Sequence, residues 1–88
     1  MDKKPNEVLV SMKNVEDYVL EIITMLNQGA EEVEIKGVGR DIGKAVDVYN
    51  MILDKLGNGI KLDSVSIGSE SRDKKRLSFI LLRVKKVY

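Results

Sequence analysis

The feature that constrains this chain most is a switch of hydrophobic period, from that of a strand to that of a helix, which occurs twice within 88 residues. The segment Glu32–Lys36 alternates, with Val33 and Ile35 on one side, and this predicts a half-buried strand. A helical stripe with apolar residues at i, i+3, i+4 and i+7 follows it. That stripe consists of Ile42, Ala45, Val46, Tyr49, Ile52, Leu53 and Leu56. A strand followed at once by an amphipathic helix predicts a sheet covered by helices.

The same switch occurs earlier in the chain. Glu7–Ser11 is a short extended run that predicts a first strand. Asn14 follows as a predicted N-cap, and Asp17 is expected to meet the free amides and the dipole of the first helical turn. The stripe of this helix consists of Val15, Tyr18, Val19, Ile22, Ile23 and Leu26. Gly29 is predicted to end the helix.

The last third of the chain predicts a long β-hairpin. Ile60–Ser69 alternates, with a change of phase near Asp63-Ser64 that predicts a bulge. Leu77–Val87 is a second apolar-rich strand, and the polar, basic segment Glu70–Arg76 is the predicted tip. The order β-α-β-α-β-β predicts one domain over residues 1–88, of the α+β class. It would have a four-stranded mixed sheet, two helices on one face and a protruding C-terminal hairpin.

Composition removes several classes of function. The chain has no cysteine and no histidine, so disulfides, thiolate or imidazole metal sites and the commonest general base are excluded. We therefore expect no metal and no cofactor. No apolar run approaches the roughly 18 residues of a membrane span, and the N-terminus (MDKKPNE) is too polar for a secretory signal. These features predict a cytoplasmic protein without a membrane partner.

Charge is distributed unevenly, although the formal net charge is only +1. Residues 1–35 contain three lysines and eight acidic residues, whereas residues 36–88 contain twelve basic and six acidic residues. Arg72–Lys86 alone contains seven basic residues and one acid. A polyanion responds to such an asymmetry more than to the total charge.

A glycine loop, KGVGRDIGKA at residues 36–45, lies between the second strand and the second helix, where phosphate-binding loops occur. It departs from a dinucleotide fingerprint because its third glycine comes one place late. It departs from a P-loop because Gly43-Lys44 is followed by Ala45 rather than by Ser or Thr. A bound nucleotide cofactor is therefore disfavoured, also because 88 residues leave no room for a nucleotide-binding sheet of the usual size.

Two interpretations of this loop remain. The first is a tight turn that needs glycine dihedral angles and binds nothing. The second, which we favour, is that the free amides of Gly39–Asp41, together with Arg40 and Lys44, contact a phosphate of a nucleic-acid backbone.

The predicted hairpin tip concentrates positive charge, with four basic residues among five: Arg72, Lys74, Lys75 and Arg76. One interpretation is a solvated loop whose charges keep edge strands from associating. The other is an arm that enters or crosses a DNA groove, because a two-stranded ribbon fits a groove and arginine favours a narrow minor groove. We favour the arm.

The chain resembles the Alba family of archaeal chromatin proteins over nearly its whole length. The resemblance is carried by KNVEDYVLEIITMLNQG at residues 13–29, by EIKGVGRDIGKAVDV at residues 34–48 and by the terminal hairpin with its Gly68-Ser69. It is closest to the second, less basic paralogue type. The resemblance implies a non-enzymatic homodimer, or a heterodimer with a paralogue. Such a protein would be associated with the chromosome in the nucleoid and would bind double-stranded DNA with little sequence preference, and RNA as well.

The resemblance also implies which residues bind. Family members often carry paired lysines before the first helix; here Lys13 matches the second and Met12 replaces the first. They often carry Arg-Gly-Arg in the glycine loop; here Arg40 matches the second arginine and Val38 replaces the first. The basic tip is expected to compensate for both losses. The predicted nucleic-acid-binding residues are Lys13, Asn14, Gly39, Arg40, Lys44, Arg72, Lys74, Lys75 and Arg76.

A dimer is also predicted from the residues themselves. Val48 and Met51 lie off the stripe of the second helix, and the last strands carry more apolar side chains than one face of a small sheet can bury. Three alternative functions remain open. These are an RNA-binding ribonucleoprotein subunit or RNA-stabilising protein, an assembly module whose basic hairpin meets an acidic protein, and a small nucleotide-dependent enzyme. The missing motif residues disfavour the last of these.

Overall fold

A computed structural model describes residues 6–88. Most of the polar N-terminal segment MDKKPNE, which is unlike a secretory signal, lies outside these residues. The elements are β1 (Glu7–Val10), α1 (Val15–Asn27), β2 (Glu32–Val38), α2 (Ile42–Leu56), β3 (Ile60–Arg72) and β4 (Lys75–Lys86). Short 3₁₀ turns, Gly39–Asp41 and Gly57–Gly59, precede and follow α2. This is the predicted order, and the α+β class is confirmed.

The sheet has the strand order β1-β2-β4-β3 and is mixed. β1 and β2 are parallel because α1 crosses between them, whereas β4 is antiparallel to both β2 and β3. In the register of β2 and β4, Val33 lies opposite Val84 and Ile35 opposite Leu82. The side chains of these pairs are buried and both helices pack on this sheet, so the predicted two-layer arrangement is confirmed.

The core lies between the sheet and the two helices. Ile22 and Leu26 of α1 are fully buried, and so are Val48 and Ile52 of α2. Burying an Ile or Leu side chain stabilises the fold by about 1.5–3 kcal/mol, so these positions determine how the helices dock. The prediction that Val48 is surplus surface is wrong, because the buried face of α2 runs through Ala45, Val48 and Ile52.

Helix α1 ends in a Schellman motif. Gly29 has φ 114°, the Ala30 N–H donates to the Met25 carbonyl oxygen at 3.1 Å, and the Gly29 N–H donates to the Leu26 carbonyl oxygen at 3.3 Å. The Lys86 ammonium donates to the same Leu26 oxygen at 3.0 Å. The segment Leu26–Gly29, a specific part of the family resemblance, therefore ends a helix and fixes the chain's path into β2.

Helix α1 has Asn14 as its N-cap residue, as predicted, but without the expected side-chain hydrogen bond. Asn14 has the extended N-cap conformation, and its carbonyl oxygen accepts the Asp17 N–H at 3.0 Å. Its side chain, however, makes no capping hydrogen bond. The Asn14 side chain is exposed, so its amide group is accessible to a ligand.

The hairpin of β3 and β4 extends beyond the rest of the sheet. β2 pairs with β4 only as far as Phe79, so residues 69–78, which we call the arm, pair only with each other. At about 3.3 Å per residue, the four β4 residues beyond Phe79 project roughly 13 Å. A register shift between Leu62 and Ser64 confirms the predicted bulge.

The turn at the end of the arm contains two residues, Asp73 and Lys74, with φ 50° and 67°. Positive φ at both central residues is what a two-residue type I′ turn requires. The predicted tip, Glu70–Arg76, is therefore too long. Ser71 pairs with Arg76 and Arg72 with Lys75, so the strand ladder continues to the turn itself.

Candidate nucleic-acid interface

The β1–α1 loop is held in place by one side chain from each helix. The hydroxyl oxygen of the buried Tyr18 accepts the N–H groups of Ser11 at 2.8 Å and Lys13 at 3.2 Å. The Lys44 ammonium donates to the carbonyl oxygens of the same two residues, both at 2.7 Å. Since four backbone groups of the loop are bound, Lys13 and the neighbouring Asn14 are fixed beside the start of α2.

The role of the Tyr18 hydroxyl is not among the features predicted from the sequence. The available signal was a tyrosine within an apolar helical stripe, because a buried phenol oxygen needs a hydrogen-bond partner. Lys44 was expected to contact phosphate, and the structure gives it a second role. Two of its three ammonium N–H donors are used inside the protein, which leaves one for a phosphate oxygen.

The three glycines of the glycine loop have different surroundings. A Cβ atom at Gly37 would lie 2.5 Å from the Asp41 carbonyl oxygen and 2.8 Å from the Ala45 Cβ, so Gly37 allows α2 to approach β2 closely. Gly39 has φ 59° and begins the 3₁₀ turn. A Cβ at Gly43 would have no neighbour within 4 Å. Packing and turn geometry thus account for Gly37 and Gly39, and the phosphate contact by backbone amides stays a prediction.

Arg40 is the exposed cation of this loop. Within residues 6–88 its guanidinium forms no ion pair. It lines a cleft that also contains Arg72 from the arm, with Leu9 and Leu77 as apolar walls. The root of the arm is close by, because a Cβ at Gly39 would lie 3.7 Å from Leu77. The structure therefore brings a cation of the body and a cation of the arm to one cleft.

Lys13 has partners inside the chain, although it is exposed. Its ammonium lies 3.4 Å from a carboxylate oxygen of Glu21 and 5.2 Å from the centroid of the Tyr18 ring. Ion pairs at such exposed positions typically contribute about 0–1 kcal/mol. A phosphate can therefore replace Glu21 at small cost, and the predicted role of Lys13 is compatible with its surroundings.

The cations of the arm do not share one face. Arg72 lies directly opposite Lys75 in the ladder, so these two occupy the same face, whereas Arg76 lies on the other face and Lys74 in the turn. Arg72 is paired, with its Nε 2.6 Å from a carboxylate oxygen of Glu70. Lys74, Lys75 and Arg76 form no ion pair in the described part of the chain. Of the four predicted tip cations, three are thus unpaired.

Glu70 links the arm to the centre of the sheet. Its other carboxylate oxygen lies 3.1 Å from the ammonium of Lys36 on β2, and that ammonium lies 5.0 Å from the centroid of the Phe79 ring. The hydrogen bond from Lys36, and then that from Arg72, lower the pKa of Glu70, so the carboxylate is ionised at neutral pH. Neither Lys36 nor Glu70 is a predicted site residue, because their proximity depends on the pairing of three strands.

The buried acidic side chain of the sheet is also paired. Glu34 accepts a hydrogen bond from an Arg83 terminal nitrogen at 2.8 Å, and this contact raises the pKa of Arg83. Among residues 6–88 there is no group of three or more acidic side chains placed to hold a metal ion. Nor does any helix in that range have the length and apolar character needed to cross a membrane.

Comparison with known proteins identifies the family of this fold. The sequence model of the Alba family matches residues 6–69. The chain belongs to the Alba family. The resemblance predicted from the sequence is therefore confirmed. The match ends at Ser69, so most of the basic arm lies outside it.

Relatives and solved structures agree with this assignment. The DNA/RNA-binding protein Alba 2 of Saccharolobus shibatae is 57% identical over 89 residues, and that of Saccharolobus solfataricus is 56% identical, with both chains covered in full in each comparison. Alba from Thermoplasma volcanium has a TM-score of 0.85 at 27% identity, over 92% of this chain and 100% of that one. ALBA1 from Trypanosoma brucei has a TM-score of 0.87 at 22% identity, over 98% of this chain and 73% of that one, and it shares the fold.

Proposed function

We propose that this Alba-family chain binds double-stranded DNA with little sequence preference, binds RNA as well, and catalyses no reaction. The observation that carries this proposal is the placement of Lys13 and Arg40 on two loops at the same end of β1 and β2, with the basic arm projecting beside them. The names of the Saccharolobus relatives support it. Residues 1–88 would act as a single binding domain. The protein would be cytoplasmic and associated with the chromosome in the nucleoid.

In the proposed complex, the body and the arm contact different parts of the duplex. Backbone phosphates are contacted by four side chains of the body, those of Lys13, Asn14, Arg40 and Lys44, the last through its remaining N–H. The amide of Gly39 approaches the same strand. The arm lies in or across the minor groove, where its cations meet phosphates on both sides. Phosphates are the same at every base pair, so such contacts fix position and give little sequence preference.

Two arms on one duplex require a dimer, and we propose that a second copy of this chain covers an apolar groove at the root of the arm. The groove is lined by Ile42, Ile67, Phe79 and Ile80. Ile67 is 80% exposed, and Val65, two positions earlier on the same face of β3, is 51% exposed, so the groove continues into an exposed apolar patch. A paralogue with the same groove would form the corresponding heterodimer.

The dimer can be tested by mass. Sedimentation at micromolar concentration is expected to give twice the 9.9 kDa chain mass. Ile67→Arg should yield a folded monomer, because a charge would be buried without a partner in the dimer and exposed in the monomer. Leu20→Arg is the matched control, since Leu20 is 67% exposed on α1 and outside the groove, and this variant should remain dimeric. A monomeric wild type would contradict the two-armed complex.

The role of the glycine loop can be tested at Arg40. Arg40→Ala should weaken binding to all DNA sequences by a similar factor and lower the steepness of the salt dependence by about one unit, because one phosphate contact is lost. Titrations at several salt concentrations measure both effects. Lys55→Ala, which removes an exposed cation at the far end of α2, should change neither. Loss restricted to some sequences would show that Arg40 contacts bases, and no loss would support the turn interpretation of the loop.

One comparison separates the proposed function from its alternatives. Duplex DNA, a structured RNA and ATP should be titrated under identical salt series. The proposal expects binding to both nucleic acids and none to ATP. Preference for the RNA by orders of magnitude would favour the ribonucleoprotein role, selective binding of ATP would favour an enzyme, and binding to none would favour an assembly module.

A further inference from the structure

We propose that the Glu70 carboxylate fills an anion site formed by Lys36 and Arg72, and that a nucleic-acid phosphate replaces it when the chain binds. This inference rests on the proposed function, and it adds a binding site on the face of the sheet opposite the helices. Neither Lys36 nor Glu70 belongs to the residues predicted from the sequence.

The geometry of the site is that of an occupied anion position. One Glu70 oxygen lies 3.1 Å from the Lys36 ammonium, and the other lies 2.6 Å from Nε of Arg72. Two cations therefore converge on one carboxylate from different strands. A backbone phosphodiester presents two charged non-bridging oxygens, as a carboxylate does, and suits arginine equally well.

The position of the Lys36 side chain does not depend on Glu70 alone. Lys36 lies on β2 and Glu70 on β3, so the lysine side chain must cross the intervening strand β4 to reach the carboxylate. It crosses over the ring of Phe79, and that ring rests on Gly68, where a Cβ atom would lie 2.9 Å from it. The ring is thus held in place by the backbone beneath it, and a cation–π contact retains Lys36 after the carboxylate leaves.

The Arg72 side of the site connects it to the body. Arg72 lines the cleft that also contains Arg40, and its side chain is 50% exposed. Ion pairs at such exposure add little stability because water and salt screen them. Arg72 can therefore exchange its bond with Glu70 for a phosphate in the cleft, where Arg40 supplies a second guanidinium.

The consequence is that Glu70 lowers the affinity of the chain for nucleic acid. While the carboxylate occupies the site, two cations attract phosphate less, and the carboxylate must be displaced on binding. Glu70→Gln keeps the size of the side chain and removes its charge. In this variant the site is expected to attract a phosphate without competition.

The test is a titration of duplex DNA with wild type and Glu70→Gln at several salt concentrations. Glu70→Gln should bind about threefold tighter or more at 0.1–0.2 M salt, because the phosphate no longer has to displace a carboxylate from the two cations. The magnitude of its salt slope should stay about the same, since the same phosphate contact forms in both proteins. Glu31→Gln is the control, because it removes the same charge at the opposite end of β2 from the cleft. It should change affinity much less. Thermal unfolding of both variants checks that the fold is kept.

A double-mutant cycle gives an independent measurement. In the wild type, Arg72→Gln should cost less affinity than Arg76→Gln, because Arg72 is already neutralised by Glu70 whereas Arg76 is unpaired. In the Glu70→Gln background, Arg72→Gln should cost as much as Arg76→Gln. The comparison of Arg72→Gln with Arg76→Gln in the wild-type background keeps Glu70, so that half of the test does not depend on the folding of Glu70→Gln.

The outcomes separate this inference from the proposed function. If the wild type binds and Glu70→Gln binds no tighter than Glu31→Gln, the anion-site inference is overturned and the proposed function stands. Weaker binding by Glu70→Gln would also overturn it, since the carboxylate would then serve to orient the arm. If the wild type does not bind DNA or RNA at all, the proposed function itself fails.

Discussion

Replacing all four basic residues of the arm with serine should weaken binding to duplex DNA more than removing Lys13 and Arg40 together. Three of the four arm cations are unpaired, whereas the double variant removes two cations of the body, one of them already paired with Glu21. If each unpaired cation makes one phosphate contact, the quadruple variant should lose roughly 10²–10³-fold in affinity at 0.1 M salt and the double variant roughly 10–10²-fold. The magnitude of the salt slope of the quadruple variant should fall by about three units.

The fold and the dimer should survive the quadruple substitution. The substituted side chains, those of Arg72, Lys74, Lys75 and Arg76, are exposed and lie outside the core, and exposed substitutions of this kind usually change stability by less than about 0.5 kcal/mol each. The measurements are thermal unfolding, dimer mass and DNA affinity at fixed salt for both variants. Ligands of the minor groove should compete with the wild type and much less with the quadruple variant. A quadruple variant that binds as tightly as the wild type would show that the charges only solvate the ends of the strands.

Gly37→Ala should lower the free energy of unfolding by about 2–3 kcal/mol, which corresponds to a fall in Tm of roughly 10–20 °C for a domain of this size. The added Cβ would lie 2.5 Å from the Asp41 carbonyl oxygen, which is a backbone atom and cannot rotate away. Helix α2 would therefore have to move off β2. This movement also displaces Arg40 and Lys44, so DNA affinity should fall with stability.

Gly43→Ala is the matched control for this prediction, with the same substitution six positions away. Its Cβ would have no neighbour within 4 Å, and the residue lies in α2, where alanine is favoured over glycine. We expect Gly43→Ala to raise the free energy of unfolding by up to about 1 kcal/mol. Both variants can be compared by chemical denaturation. Equal effects of the two substitutions on the free energy of unfolding would show that the close approach of α2 to β2 at Gly37 does not contribute to stability.

The order of strands and helices could be predicted from the sequence because each element carries its own hydrophobic period. Local features with a local cause were also predictable, such as the end of α1 just before Gly29 and the bulge near Ser64. The length of the hairpin tip was not. The turn is formed by Asp73 and Lys74, and this pair lacks the glycine that usually identifies a two-residue turn.

The burial of Val48 could not be predicted from the helical stripe. A helical stripe drawn from apolar residues alone does not define which part of a wide apolar face meets the sheet. The face that is buried runs through Ala45 and Ile52, and Val48 lies between them.

The candidate site was predictable only in part. Arg40 and the arm cations were predicted from the glycine and charge patterns along the chain, and Lys13 was predicted from the family resemblance. Some of the bonds that organise this region join residues far apart in sequence. Lys44 reaches the carbonyl of Ser11 across 33 positions, and the ammonium of Lys36 reaches the carboxylate of Glu70 across the intervening strand. Such pairs follow from strand order and register, which no local pattern contains.

The tight turn at Asp73 and Lys74 has a consequence for how the arm recognises a ligand. A seven-residue loop at this place would have to be ordered on association, at a cost of about 1–2 kcal/mol of backbone entropy per residue. Here the ladder runs as far as Arg72 and Lys75, so that ordering has already taken place during folding. In the proposed complex, the arm therefore meets the duplex with its backbone already paired up to the turn. If the arm binds as proposed, nucleic acids whose groove does not fit this ordered ribbon are expected to bind more weakly, through the body alone.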